Sequence, residues 1–245
     1  MSGLRIDNLK VAYGENRVFD GFGISFEQNT VNVILGGSGV GKTTLLNVIA
    51  GLVPYSGSVS GADDNISYIF QKDRLIPAIS VYKNLDLVLR NKIKDKNERK
   101  EKIENMLAEL EILSERDKLP TAISGGQAQR VSMARAFLYP SDILLMDEPF
   151  KALDIGLKSR LFSAFDKLLA ESPKTVVFVT HDVEECLFAA DRYFVLGGSP
   201  ADVVLSGEIA VDRKQRKADM PELVTARARL FGVLGAYGSD GGAEN

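Results

Sequence analysis

Nine residues narrow the folds open to this chain more than any other stretch. Gly36 to Thr44 reads GGSGVGKTT. It follows Val31 to Leu35, an apolar run of the kind that forms a buried strand. Lys42 to Ala50 then reads as a helix, ended near Gly51 and Pro54. Strand, glycine loop and helix are the setting in which Gly-x4-Gly-Lys-Thr binds phosphate. The glycines let the backbone curl until several N–H groups converge, and the helix adds the positive end of its dipole. Gly36, Gly37, Ser38, Gly39, Val40, Gly41 and Thr44 are therefore candidate phosphate contacts. Lys42 can reach terminal phosphates, and Thr43 offers a hydroxyl to Mg²⁺.

Two further constellations belong with this loop. Asp147 and Glu148 close the apolar run Ile143 to Met146. A doubly wound sheet places its ligands at such a strand end, although Asp147 before Glu148 and Pro149 also fits a helix cap. Ser124-Gly125-Gly126-Gln127 precedes an amphipathic run, Val131 to Leu138. Ser124 is a natural N-cap, and the small residues leave room for an anion. Taken alone it is either a capped helix start or a second phosphate site that the first loop does not need.

ISGGQ, Ile123 to Gln127, followed at one helix length by ILLMDEP, Ile143 to Pro149, resembles the ATP-binding cassette family of transport ATPases. The resemblance runs from Tyr13 to at least His181. It implies a P-loop NTPase α/β core with an antiparallel β subdomain and a helical signature subdomain. It also implies ATP and Mg²⁺ as ligands. Asp147 then holds Mg²⁺ indirectly, beside Thr43 and Gln71, and Glu148 polarises the attacking water. Ser124, Gly125, Gly126 and Gln127 of one subunit close over the γ-phosphate bound by a second copy. His181, the single histidine, lies in THD and corresponds to the switch histidine at the γ-phosphate. A lone histidine after a strand is otherwise more often structural. Tyr13 corresponds to the residue that stacks on adenine; a core-packed strand tyrosine is the rival reading. Lys151-Ala152-Leu153-Asp154 matches the loop that crosses the dimer interface, with Lys151 where many relatives carry serine.

The remaining chain is read more coarsely. Leu4 to Tyr13 and Val18 to Phe26 are strands around a turn at Gly14 to Asn16; shorter strands fall near Ser58 and at Ile66 to Phe70. Ser80 to about Leu119 is helical, with Ile103, Met106, Leu107 and Leu110 on one face and a solvated charged run at Lys92 to Lys102. Thr175 to Val179, Tyr193 to Leu196 and Val203 to Leu205 are strands, and Gly156 to Ala170 a helix. Past Arg213 the signal weakens. The expected organisation is one domain over 1–237, a helical insertion at about 73–140, and a disordered tail at 238–245.

The 245 residues carry a net charge of −3, which leaves no basic footprint for nucleic acid. One cysteine, Cys186, excludes an internal disulfide and suits a reducing compartment. No secretory leader or run of about 20 apolar residues is visible. The family likeness therefore implies separate transmembrane permease subunits, a peripheral position on the cytoplasmic face of the inner membrane, and indirectly a solute-binding protein. Phe150 after DEP and the stretch Asp73 to Asn84 resemble import cassettes, nearest those for nitrate, sulfonate, taurine or thiamine precursors. Leu75, Ile76 and Ile79 either pack under the helical segment or form a groove for a helix of the permease. A cassette that works apart from transport, in DNA repair, cluster assembly or on ribosomes, is the alternative. The span from Thr44 to Ile123 is too short for the coiled coil of repair ATPases.

Overall fold

The computed structural model describes residues 3–62, 65–151 and 153–238. Two sheets organise them. The smaller is antiparallel, in the order β2-β1-β4, from β1 (Leu4–Tyr13), β2 (Asn16–Phe26) and β4 (Ser56–Ser60). Strict alternation would put Leu4 and Ile6 on one face of β1 and Leu9 and Val11 on the other. All four are buried on the same side. The register shifts between Ile6 and Leu9, where Asn8 takes a left-handed φ of 50°. The extra residue reverses the parity, as a β-bulge does.

The larger sheet runs β5-β6-β7-β3-β8-β9. Its strands are β3 (Val31–Gly36), β5 (Ile66–Ile69), β6 (Ile143–Asp147), β7 (Thr175–Val179), β8 (Arg192–Gly197) and β9 (Asp202–Glu208). The first five in spatial order are parallel, and β9 closes the edge antiparallel to β8. Every residue of β3, β6 and β7 is buried, which explains their largely apolar character; Asn32 in β3 is the polar exception inside a strand, its Nδ2 donating to the Thr30 and Val176 carbonyls. Their side chains divide between two cores. Val33, Leu35, Leu144, Met146 and Phe178 face one way, and Ile34, Leu145, Val177 and Val179 the other. Burying each such side chain contributes on the order of 2 kcal/mol.

Helix α1 (Lys42–Ile49) and the antiparallel sheet cover the second face. Helices α5 (Ile155–Glu171), α6 (Val183–Ala189) and α7 (Pro221–Gly238) pack on the first. The same buried cluster continues without a break into α2 (Val81–Leu89), α3 (Lys96–Glu109) and α4 (Gly125–Leu138). Asp95 caps α3 through the N–H groups of Asn97 and Glu98.

Three features differ from the coarse reading. The charged run is not wholly solvated: Arg99 is buried against Asp86 at 2.6 Å and the carbonyls of Ile93 and Lys94. The weak signal past Arg213 conceals α7, to which the chain is led by buried Arg216, bonded to the Leu187, Ile209 and Val211 carbonyls. Gly238, assigned to the tail, is the last residue of α7, and 239–245 lie outside the described residues. Among the described residues no helix is long and apolar enough to cross a membrane.

Candidate active site

The central strand β3 delivers its last residue, Gly36, to the carboxyl end of the sheet, where the glycine loop begins. The loop ends on Gly41, which caps α1 with φ 111° and no side-chain hydrogen bond. A Cβ there would meet Val18 Cγ1 at 2.7 Å and Phe19 Cζ at 3.0 Å. Only glycine fits both the conformation and the space. The first-turn N–H groups of α1 are therefore left for a ligand. Lys42 Nζ folds over the loop and donates to the Gly36 and Gly37 carbonyls at 2.7 and 2.8 Å. Burial lowers its pKa, and the Glu148 and Asp147 carboxylates oppose that shift.

Two strands from β3 across the sheet, β6 ends in Asp147, 4% exposed. Thr43 Oγ1 donates to its oxygens at 3.0 and 3.2 Å. Burial raises the Asp147 pKa; the Thr43 bond works against this. Glu148 follows in the left-handed region, φ 47°, its N–H bonded to Val179 O at 2.9 Å. Its Oε1 lies 3.1 Å from His181 Nδ1. Its Oε2 accepts from Gln71 Nε2 at 3.1 Å and from Lys151 Nζ at 2.6 Å. Burial pushes the Glu148 carboxyl up, but Lys151 and His181 together outweigh it and leave it below the ordinary range.

The strand ends thus bring together Lys42, Thr43, Gln71, Asp147, Glu148 and His181, which lie up to 139 positions apart by their numbers (181 − 42). Ser124, Gly125, Gly126 and Gln127 are not part of this group. They start α4 as a capping box: Gln127 N–H donates to Ser124 Oγ at 3.3 Å, and Ser124 N–H to Gln127 Oε1 at 2.8 Å. Among the described residues, no hydrogen bond joins them to the phosphate loop, Glu148 or His181. Tyr13 ends β1 at 52% exposure, so it is not a core tyrosine. It sits at the hairpin whose Val18 and Phe19 press on Gly41.

Sequence reasoning missed the Lys151 contact entirely, since only the fold shows where a side chain after Pro149 turns. It also missed Asn84, which is 2% exposed and staples the 76–80 segment: Ile76 N–H donates to its Oδ1, and its Nδ2 donates to the Ile76, Ile79 and Ser80 carbonyls. Phe150 is fully buried against Phe162 and Phe178, a packing role.

The residues present suit a small hard cation. Thr43 and Asp147 offer adjacent hydroxyl and carboxylate oxygens, the donor type Mg²⁺ prefers. Among the described residues there is no cluster of three His, Cys, Asp or Glu able to hold a metal. A cation here would take its other ligands from phosphate and water, as Mg²⁺ commonly does.

A glycine loop at the carboxyl end of a central parallel strand, with a buried aspartate and a glutamate two strands away, defines a P-loop nucleotide hydrolase. The chain belongs to the ABC transporter family, whose model matches residues 19–151. It is 35% identical over 233 residues to the aliphatic sulfonates import ATP-binding protein SsuB 2 of Pseudomonas savastanoi pv. phaseolicola, covering 95% of this chain and 84% of that one. It is 33% identical over 218 residues to the Fe(3+) ions import ATP-binding protein FbpC of Fusobacterium nucleatum, covering 82% of this chain and 59% of that one. Among solved structures it is similar to the dimeric bacterial ABC transporter cassette MJ0796, with a TM-score of 0.76, 28% identity, and 85% and 100% of the two chains covered. The same cassette in a post-hydrolysis state with ADP and Pi aligns with a TM-score of 0.76 at 27% identity, over 85% and 100% of the chains. The chain is an ATPase of this family, and ATP is its nucleotide.

Proposed function

We propose that this chain powers solute import through a separate transmembrane permease, as a head-to-tail pair of copies at the cytoplasmic face of the membrane. The observation that carries the paired arrangement is the separation within one chain. The phosphate loop, Asp147, Glu148 and His181 converge, while Ser124 to Gln127 form a capped helix start that, among the described residues, shares no hydrogen bond with them. Two copies related by C2 symmetry bring each signature segment onto the other's phosphate loop. Import is supported by the names of the curated relatives, aliphatic sulfonates and Fe(3+) ions import ATP-binding proteins. Their solutes differ, and the solute of this system is not carried by the cassette. A solute-binding protein completes the system.

In this reading Gly36 to Thr44 cradle the phosphates, and Lys42 leaves the Gly36 and Gly37 carbonyls for the β- and γ-phosphate oxygens. Thr43, Asp147 and Gln71 hold Mg²⁺, which when bound neutralises developing charge on the phosphates. Glu148 orients the attacking water and accepts its proton, while His181 holds the γ-phosphate side. Tyr13 stacks on adenine. One domain over 1–237, with the helical part at about 73–140, supplies these pieces.

The test mixes two variants. Ser124→Arg blocks the partner's site, and Lys42→Ala disables its own loop. Each alone is expected to be inactive in phosphate release. Mixed, the hybrid dimer has one site with both halves intact and regains part of the activity. Normal hydrolysis by Ser124→Arg alone sinks the shared-site reading. For the import arm, the tagged chain is expected to bring down an apolar multi-span membrane protein.

A further inference from the structure

His181 stands on a turn that it does little to hold. Its side chain is 55% exposed, and among the described residues its ring makes one polar contact, with Glu148. The turn is fixed by its neighbours. Thr180 N–H bonds to Ile34 O at 3.1 Å, which ties the turn to the strand that ends in the phosphate loop. Thr180 Oγ1 donates to Glu185 Oε2 at 2.6 Å and accepts the Asp182 N–H at 3.1 Å. Asp182 caps α6 through the N–H groups of Glu184 and Glu185. Glu185 is only 4% exposed, so its charge needs a partner. That partner comes from another helix. Lys158, in the first turn of α5, reaches Glu185 Oε1 at 2.6 Å and Asp182 Oδ2 at 3.1 Å. With Glu148 and His181 it lines a cleft of about 80 Å³.

Asp154, four residues before Lys158, caps α5 by accepting the Leu157 N–H. Lys151 is on Glu148 Oε2. Two lysines therefore serve this cluster: Lys151 holds Glu148, and Lys158 holds the Asp182, Glu185 and Thr180 set that fixes the turn carrying His181.

We propose that Lys158 is the positioning residue for His181, setting the ring against Glu148 by clamping the two acids that flank and support its turn. The inference rests on the roles given above to His181 and Glu148. Without Lys158, two carboxylates face each other at the start of α6 with no cation between them. Their repulsion moves the Asp182 cap, and the turn moves with it. A small displacement at a reacting centre costs about 10–10²-fold in rate.

His181 is the single histidine in the chain, so its imidazole gives one proton resonance at Cε1 that reports its environment without reference to catalysis. In Lys158→Met, at fixed pH, that resonance is expected to broaden or move toward the position of an unstructured histidine. Turnover is expected to fall about tenfold or more, with ATP affinity unchanged, and Lys158→Arg to restore both. An unchanged His181 resonance in folded Lys158→Met overturns the proposal, as does full turnover. Should Lys158→Met fail to fold because Glu185 is left alone, Lys158→Gln removes the cation and keeps an amide donor within reach of one of the two acids. The same resonance then decides: displaced in support, undisturbed against. His181→Ala separates the two levels. If that variant hydrolyses normally, the role given to His181 fails, while the resonance still shows whether Lys158 places it.

Discussion

Glu148 concentrates more opposing forces than any other residue in the site. Its left-handed backbone costs of the order of 1–2 kcal/mol for a residue other than glycine. That turn carries its carboxylate out of the buried strand to meet Gln71, Lys151 and His181. Glu148→Gln keeps the shape and loses the base. Phosphate release should fall by about 10²–10⁴ while nucleotide affinity stays; a variant running at half speed would remove Glu148 from the role. Lys151 tunes the same group. Lys151→Ser deletes the nearest cation and leaves burial opposed by His181 and the Gln71 hydrogen bond, so the Glu148 pKa rises. The base must be ionised to act, and a higher pKa keeps it protonated to a higher pH. The acid limb of turnover against pH should therefore move upward. A limb that stays in place would mean that Lys151 has already left Glu148 in the working dimer.

Among the elements, the segment between β5 and α2 is the most informative. It is pinned from two sides. Arg135 of α4 donates to the Asp73 and Arg74 carbonyls at 2.8 Å, and Asn84 of α2 holds Ile76 to Ser80. Leu75 packs against the core, whereas Ile76 is left 46% exposed. The two sequence readings of these apolar residues therefore divide between neighbours. Asn84→Ala strands several backbone groups and should destabilise the subunit by about 1–3 kcal/mol, read by urea unfolding. Ile76→Asp should leave the unfolding curve unchanged and abolish co-purification with the permease. Retained assembly and uptake in Ile76→Asp would place the docking surface elsewhere.

For the whole molecule, Cys186 offers a probe that needs no added label site. It is the single cysteine, fully buried in the core that joins the sheet to its helices. Burial pushes its thiol well above the ordinary range. Reaction needs a thiolate and access, and the native fold denies both. A thiol reagent should label the native protein only as fast as the core opens, and promptly once urea unfolds it. Prompt labelling without denaturant would show that α6 detaches independently of the sheet.

Much of this architecture was legible locally. The phosphate loop, the acidic pair after an apolar strand and the helix start at Ser124 are each written within about ten consecutive residues. Their chemistry follows from residue types at fixed spacing. The apolar runs likewise announced β3, β6 and β7, because a strand covered on both faces has no polar side. Other features depended on what meets what. The bulge at Asn8 reverses which side chains face inward, and only pairing with β2 reveals it. Arg99 sits in a charged run and is buried because Asp86 lies on the next helix. α7 has an interrupted apolar pattern, and its place is set by the surface it covers. Lys151 and Lys158 carry no local signal at all, since a lysine is read as solvated until a carboxylate is found beside it. The sequence by itself therefore determined the family and the local segments from which a nucleotide site of this kind is built. The tertiary structure decided how they are held, because an ion pair between distant positions exists only once the sheet order brings the strand ends together.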